Sequence, residues 1–176
     1  GNILVIVWEH KTADEAYAVG RQSIDNSLNV MWSEAILELE PVGTNDVNIV
    51  WEWHLWDHLI QDVDPDLPNY GVVSDHPELQ DINYGNAGSN GGPSGATGDW
   101  KHFNAVAYNE DLDQIALSSR FHDEIYIIDH STPQKKRLVI QVGTLAWAAI
   151  IYIAGVIHRC MAVGQMMISS WMLNMV

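Results

Sequence analysis

The chain is poor in cysteine and in positive charge. Cys160 is the single cysteine among 176 residues, so no disulfide can form within the chain. Eight Lys and Arg residues stand against 23 Asp and Glu residues, and the formal net charge is −15. This balance argues against nucleic acid or an anionic membrane surface as a partner. Any site for an anion must therefore be built locally, against the field of the whole chain.

A recognisable start is also lacking. Gly1 leads directly into the apolar run at residues 3–7 (ILVIV), with neither an initiator Met nor a signal segment before it. We therefore expect the beginning of the natural protein to be missing from this sequence.

Acidic residues are absent from the last part of the chain. All 23 lie at or before Asp129, whereas residues 133–176 hold five of the six methionines and the basic residues Lys135, Lys136, Arg137 and Arg159. A composition shift this sharp marks a boundary. We divide the chain into a domain at residues 1–132 and an anomalous apolar tail at residues 133–176.

Three explanations of the tail compete. Residues 138–157 are apolar over about the 20 residues that a membrane-spanning helix needs, with three basic residues before them. His158 and Arg159 interrupt that stretch, however, and nothing after them resembles an anchor. The second explanation is a buried amphipathic helix. The third is a reading-frame error near Thr132, which makes the tail a translation of the wrong frame.

The frame error can be tested on paper, and it is the explanation we favour. In the frame two bases downstream, Trp147-Ala148 must give Gly and Met166-Met167 must give Asp. One permitted reading contains DYLYRWGNP and DQQLDAQHG, which is acidic and strand-like as the first 132 residues are. Its DYLYRWG also echoes residues 47–53 (VNIVWEW). Nucleotide reads across Thr132 would decide the question.

The first 132 residues carry β signals. Short apolar, alternating or β-branched runs are separated by turn residues rich in Gly, Asn and Asp. One helix is predicted where Thr12 can cap the helix formers that follow it. The predicted strands lie at residues 3–8, 35–40 (ending at Pro41), 47–53, 105–108, 114–118 and 124–128.

The strands predict an all-β fold with an internal repeat. The strands at residues 3–8, 35–40 and 47–53 form one unit, and those that start at Gln114 and Glu124 begin the next. Repeated antiparallel units of about four strands are typical of a β-propeller, and this chain has about two such blades. The Gly- and Pro-rich residues 62–98 are too long for a blade turn and predict a functional loop insertion.

The most informative stretch is Asp99-Trp100-Lys101-His102-Phe103-Asn104, followed by Leu117-Ser118-Ser119-Arg120. On a strand, His102 and Asn104 would face the same side, and Arg120 would end the next strand beside them. Imidazole, amide and guanidinium together can bind a tetrahedral oxyanion without a metal. The competing interpretation is structural, because a lone His near a strand start is more often a hydrogen-bonding residue of the fold.

This stretch resembles the bacterial arylsulfotransferase family. The residues that carry the resemblance are Asp99-Trp100-x-His102-x-Asn104, Tyr108 and Ile115-x-Leu117-Ser118-Ser119-Arg120. Residues 51–60 (WEWHLWDHLI) and the loop with Tyr70-Gly71 and Asp75-His76-Pro77 are similar to the same family. The resemblance extends over essentially all of residues 1–132.

The resemblance implies a six-bladed propeller that is periplasmic or exported. It implies transfer of a sulfuryl group from an aryl sulfate ester to a phenol, through a sulfated histidine and without a cofactor. His102, Asn104 and Arg120 match family positions that bind the sulfuryl oxygens, and His102 and Arg120 are our catalytic candidates. The implied partners are the small-molecule donor and acceptor, with no nucleic acid and no membrane.

The chain departs from the family in one decisive respect. The family's nucleophilic His belongs to a QH motif that appears here only in the other frame, and His158 in the tail has no matching context. We therefore expect the chain as written to be inactive in sulfuryl transfer. The alternative function is a non-catalytic propeller used for binding or scaffolding, with the tail as a membrane tether.

Two further clusters of side chains each allow two interpretations. His54, Asp57 and His58 could bind a metal, but their spacing does not place all three on one face of a strand, so hydrogen bonding is the simpler role and we predict no metal. Trp51, Trp53 and Trp56 are most simply core, with an aryl pocket as the alternative.

Overall fold

The structure is a computed structural model, which describes residues 1–88, 97–131 and the backbone of residues 151–153. Nine strands and one short helix are present in that part of the chain. In chain order they are β1 (Ile3–Thr12), α1 (Ala13–Ala18), β2 (Val30–Val42), β3 (Asp46–His54), β4 (Leu59–Ile60), β5 (Gln80–Asp81), β6 (Phe103–Asn109), β7 (Gln114–Ser119), β8 (Glu124–Asp129) and β9 (Ile151–Ile153). The predicted all-β class is confirmed.

The first sheet is antiparallel with the strand order β1-β2-β3. β1 pairs with β2 from Ile3 opposite Leu39 to Thr12 opposite Val30. β2 does not stop at Pro41 as predicted, but continues to Val42 and pairs with β3 across the turn that contains Gly43. Pro41 is tolerated there because it lies exposed, next to the hairpin end of the strand.

The second large sheet has the order β6-β7-β8-β9 and is antiparallel throughout. Burial alternates along β7 and β8, so one face turns inward through Ile115, Leu117, Tyr126 and Ile128. The pairing of β6 with β7 shifts between Phe103 and Ala105, which places Asn104 in a bulge.

The hydrophobic core lies between the two sheets. β1 and β6 are neighbours across the boundary, and Phe103 packs against Trp53 at 6.5 Å and against Tyr126 at 5.4 Å between ring centroids. The core therefore joins both units of the predicted repeat. It contains these buried residues from the two sheets and their connections: Met31, Ile36, Trp53, Leu55, Ile82, Trp100, Phe103, Ile115, Leu117, Tyr126 and Ile128.

The insertion is anchored by polar side chains, of which those of Arg21 and Gln61 are buried. The Arg21 guanidinium donates to the carbonyl oxygens of Ile82 at 2.6 Å and Gly85 at 2.8 Å. The Asn26 amide donates to Ala87 O at 2.9 Å, and the Gln61 amide organises the acidic turn through Asp64 O at 2.8 Å. β4 and β5, a parallel pair, also belong to this region. These contacts hold the loop against the connection between α1 and β2.

The predicted helix is confirmed, with Thr12 as its N-cap. The Thr12 side chain accepts from Glu15 N at 3.2 Å, and Glu15 Oε2 accepts from Thr12 N at 2.7 Å, which forms a capping box. The hydrogen bonds to Thr12 lower the pKa of Glu15.

Most of the tail lies outside the described residues, and the frame-error hypothesis stays a prediction. Residues 151–153, inside the stretch weighed as a spanning helix, form β9 and pair with β8. No helix within the described ranges has the length and apolar character needed to cross a bilayer. The described sheets give no closed propeller, and the blade count also stays a prediction.

Candidate functional site

His102 lies immediately before β6, not on a strand. Its φ of 53° is in the left-handed region, which is uncommon for a residue other than glycine. The prediction that His102 and Asn104 face the same side of one strand is therefore wrong. The positive φ of His102 and the bulge at Asn104 both interrupt the alternation.

The imidazole of His102 is held by one carboxylate and two aromatic rings. Its Nδ1 lies 2.5 Å from Asp99 Oδ2. The ring centroids of Phe121 and Trp8 lie 4.9 Å and 5.9 Å from that of the imidazole. The side chain is 26% exposed, so it remains reachable from solvent.

Arg120 is brought to the same end of the sheet by the backbone. Its N–H donates to His102 O at 3.1 Å, and the next N–H, of Phe121, donates to Lys101 O at 3.2 Å. The exposed guanidinium carbon lies 5.6 Å from the Phe121 ring centroid. His102 and Arg120 thus pack against the same aromatic ring, at the turn between β7 and β8.

Asn104 is the third predicted residue, and the bulge exposes it. Its Oδ1 accepts from the Ser118 hydroxyl at 2.7 Å, so the amide NH₂ is the group that can donate to an anion. Across residues 1–88 and 97–131, no hydrogen bond joins the side chains of His102, Asn104 and Arg120 to one another. The structure brings His102 and Arg120 together and places Asn104 on the adjoining edge of β6.

Two buried carboxyl groups lie behind His102. Asp99 is 6% exposed, and Glu34, on β2, is 0% exposed. Phe103 N donates to Glu34 Oε1 at 3.4 Å. Burial, followed by the nearby Asp99 charge, raises the pKa of Glu34 to about 8, although Lys101 opposes the shift. Glu34 is therefore a neutral acid at pH 7.

Lys101 has its ammonium buried beneath the turn. Its Nζ lies 2.7 Å from His122 Nδ1 and 3.1 Å from the Tyr126 hydroxyl, and Tyr126 donates to Glu124. The Trp100 ring centroid lies 4.6 Å from the same ammonium. Burial lowers the pKa of Lys101 to about 8, and burial together with Lys101 lowers the pKa of His122 to about 3. His122 therefore stays neutral, and its Nδ1 accepts a hydrogen bond from the Lys101 ammonium.

At the opposite end of the same sheet, His130 joins the two sheets. Its Nδ1 lies 2.7 Å from Asp113 Oδ1 and its Nε2 lies 2.9 Å from Glu38 Oε2 on β2. Tyr108 also donates to Asp113 Oδ1, at 2.8 Å. Both imidazole nitrogens meet carboxylates, so this histidine connects structural elements.

The other clusters have structural contacts. His54 Nδ1 lies 3.1 Å from Glu9 Oε1, and His58 stacks on Trp53 at 5.1 Å, where burial lowers its pKa. No group of three or more metal-ligating side chains occurs within the described residues. Trp53 is core, as predicted, and Trp51 and Trp56 are partly buried against that core. Trp51 also packs on His130 at 4.7 Å.

Sequence reasoning missed most residues around the candidate site. The motif at residues 99–104 contains Asp99 but predicts no role for it. The sequence pattern likewise predicts no role for Glu34, Lys101 and Phe121. A signal for Glu34 does exist, because it interrupts a run that is buried from Ser33 to Ile36 in the structure. A charged residue in such a run requires a partner from elsewhere in the chain.

Comparison with known proteins gives one match. The family model described as Arylsulfotransferase (ASST) matches residues 6–137, which include His102, Asn104 and Arg120. No curated protein and no solved structure matches the chain.

Proposed function

The chain belongs to the arylsulfotransferase family, and on that premise we propose that it forms part of an aryl-sulfate sulfotransferase whose sulfuryl oxygens are bound by His102, Asn104 and Arg120. One observation supports the site above all others. The hydrogen bond from Arg120 N to His102 O fixes a cation and an imidazole at one end of the sheet, in a chain of net charge −15.

The three groups suit a sulfuryl group in transfer. The guanidinium can donate to two oxygens, the Asn104 amide to a third, and the imidazole completes the set. Negative charge spreads over these oxygens in the transition state, where fixed donors stabilise it most. Phe121 and Trp8 beside His102 supply apolar surface for the aryl ring.

The reaction proceeds in two displacements. A histidine nitrogen forms an N–S bond while the S–O bond to the aryl group breaks, and the aryl oxygen leaves with the electron pair and takes up a proton. A phenol oxygen then attacks the sulfur, loses its proton and regenerates the imidazole. In this proposal His102 binds oxygens and is not the nucleophile. The nucleophilic His is the one encoded in the other frame, so the chain as written binds aryl sulfate but does not turn it over.

Binding and transfer can be measured separately. Titration with 4-nitrophenyl sulfate should show at least roughly tenfold weaker binding by Arg120→Ala, because a charged hydrogen bond contributes about 1.5–3 kcal/mol. The matched control is Lys11→Ala, which removes a positive charge that contacts Glu9 and Trp56 rather than the site residues and should leave the affinity unchanged. With phenol present, we expect no release of 4-nitrophenol.

Two results would contradict the proposal. Equal binding by Arg120→Ala and the parent would favour the non-catalytic module. Transfer of the sulfuryl group to phenol by the purified chain would overturn the predicted inactivity.

A further inference from the structure

Beneath His102, two carboxyl groups present oxygens with no described partner. Asp99 Oδ1 and Glu34 Oε2 are both fully enclosed, and neither has a hydrogen-bond partner among the residues that the structure covers. Leaving a buried carboxyl oxygen unsatisfied costs about 1–3 kcal/mol, and more if the group is charged. The other oxygen of Asp99 lies 2.5 Å from His102 Nδ1, and the other oxygen of Glu34 accepts from Phe103 N at 3.4 Å. The two carboxyl groups are thus held at adjacent residues, where one proton between them would satisfy both free oxygens.

We propose that Glu34 and Asp99 share one proton, and that this pair positions His102 by holding its imidazole in the Nδ1–H tautomer. The inference rests on the proposed function, since it deepens the same site. Neither carboxyl group contacts the substrate, so both are positioning residues.

The backbone fixes the Asp99 side of the pair. Gly88 N donates to Asp99 O at 2.6 Å, and Trp32 N donates to Gly98 O at 2.7 Å, so the chain at Asp99 is tied to the insertion and to β2. β2 also carries Glu34, two residues beyond Trp32. The same strand therefore ties down the backbone before Asp99 and supplies its carboxyl neighbour.

The charges around the pair are consistent with one shared proton. The Asp99 charge raises the pKa of Glu34, whereas Lys101 and the backbone N–H groups of His102 and Phe103 lower it. On the other side of Lys101 lie Glu124, Tyr126 and neutral His122. A protonated Glu34 supplies the O–H donor that Asp99 Oδ1 lacks. Asp99 then remains a carboxylate whose Oδ2 accepts from His102 Nδ1.

The consequence for the site is a defined imidazole. With Nδ1 donating to Asp99, Nε2 is the ring nitrogen that meets the sulfuryl oxygens. Stacking against Phe121 and Trp8 limits rotation of the ring. Deprotonation of Glu34 would put a second negative charge next to Asp99 and weaken the binding of an anion at His102.

Nitrogen NMR of the histidine-labelled chain tests the pair directly. The His102 signals are assigned by their loss in His102→Gln. We expect Asp99→Asn to replace the Nδ1–H signature by a mixture of tautomers and to weaken 4-nitrophenyl sulfate binding roughly tenfold, the effect of one charged hydrogen bond. Asp113→Asn is the matched control, because it removes the same kind of contact from His130 and should leave His102 unchanged.

Glu34→Gln provides a second variant, isosteric with the protonated acid. It should retain the Nδ1–H signature and bind with the parent's affinity at pH 7. The parent's affinity should fall above about pH 8, and the fall should be smaller in the variant, in which Lys101 alone changes its charge in that range. If Asp99→Asn does not fold, this pH profile still decides the question.

The outcomes separate this inference from the proposed function. Persistence of the Nδ1–H signature in Asp99→Asn, or the same pH profile in Glu34→Gln and the parent, would overturn the proton-sharing pair. If Asp99→Asn loses the Nδ1–H signature but the parent chain does not bind 4-nitrophenyl sulfate, the result would instead count against the proposed function. The NMR signature does not depend on the ligand.

Discussion

The two ends of the β6-β7-β8 sheet carry the same pair of side chains in opposite settings. At one end His102 Nδ1 lies 2.5 Å from Asp99, and at the other His130 Nδ1 lies 2.7 Å from Asp113. The Asp99 side chain is 8% exposed, whereas that of Asp113 is 42% exposed. A His–Asp contact therefore does not by itself define a functional site. The burial of the carboxylate and the contacts of the second ring nitrogen do.

The surroundings divide the roles further. His130 Nε2 meets Glu38, so its imidazole ties two sheets together. His102 is flanked by aromatic rings and lies over an interior that contains Glu34, Asp99 and Lys101. Polar groups in that interior depend on one another, and this makes the His102 end the more sensitive to substitution.

The largest expected effect comes from Lys101→Met. Removing the ammonium takes a hydrogen bond from His122 and from Tyr126 and removes the positive charge that lies 4.0 Å from buried Glu124. Breaking a buried ion pair on one side costs about 3–5 kcal/mol. We expect the free energy of unfolding, measured by chemical denaturation, to fall by that amount.

Lys11→Met is the control for that variant. Lys11 also lies over an indole, that of Trp56 at 5.1 Å, and pairs with Glu9 at 3.6 Å, but near the surface. Its loss should cost less than about 1 kcal/mol. Equal destabilisation by the two substitutions would show that burial of Lys101 does not carry the effect.

An intermediate effect is expected from pH, with opposite sign at the two ends. Burial holds the pKa of Glu34 at about 8 in the folded chain, so the folded state binds this proton more tightly than the unfolded state does. Its contribution to stability is full at acid pH and is lost as the pH rises towards about 8. Relative to Glu34→Gln, the parent should lose on the order of 3–4 kcal/mol between about pH 5 and pH 8.

Asp113 should behave in the reverse direction. Burial opposes its ionisation, but hydrogen bonds from His130 and Tyr108 hold its pKa below the ordinary value. The parent's advantage over Asp113→Asn should therefore be present at neutral pH and disappear as the pH falls through the lowered pKa. Denaturation of the three proteins across a pH series checks both signs, and parallel curves for all three would refute the contrast.

The smallest expected effect separates two hydroxyl groups. Ser118→Ala removes the hydrogen bond to Asn104 at the candidate site, and Tyr108→Phe removes the one to Asp113 at the other end. Each should cost about 0.5–1.5 kcal/mol of stability or less. Only Ser118→Ala should change the affinity for 4-nitrophenyl sulfate, by a few-fold. A change in affinity with Tyr108→Phe would mean that the two ends are coupled.

Local pattern was enough to predict the six longer strands, β1 to β3 and β6 to β8, and the helix start. Alternation along β7 and β8 and the Thr12 cap depend on residues that are close in sequence. The prediction that Arg120 follows the next strand and lies beside His102 also came from strand and turn signals.

The interior of the site could not be predicted in this way. Glu34 lies on one sheet and its side chain accepts from the backbone of Phe103 on the other, and the sequence near Glu34 does not show which residue will be its partner. The φ of His102 and the bulge at Asn104 are likewise set by tertiary packing, which overrides the alternation expected of a strand.

The hydrogen bond from Arg120 N to His102 O has a mechanical consequence. This backbone hydrogen bond of 3.1 Å keeps the two residues together when the turn between β7 and β8 moves. Neighbouring segments can thus move against this edge of the sheet while the separation of the His102 and Arg120 backbones stays constant. The spacing of the two candidate side chains is in this respect insulated from movement elsewhere.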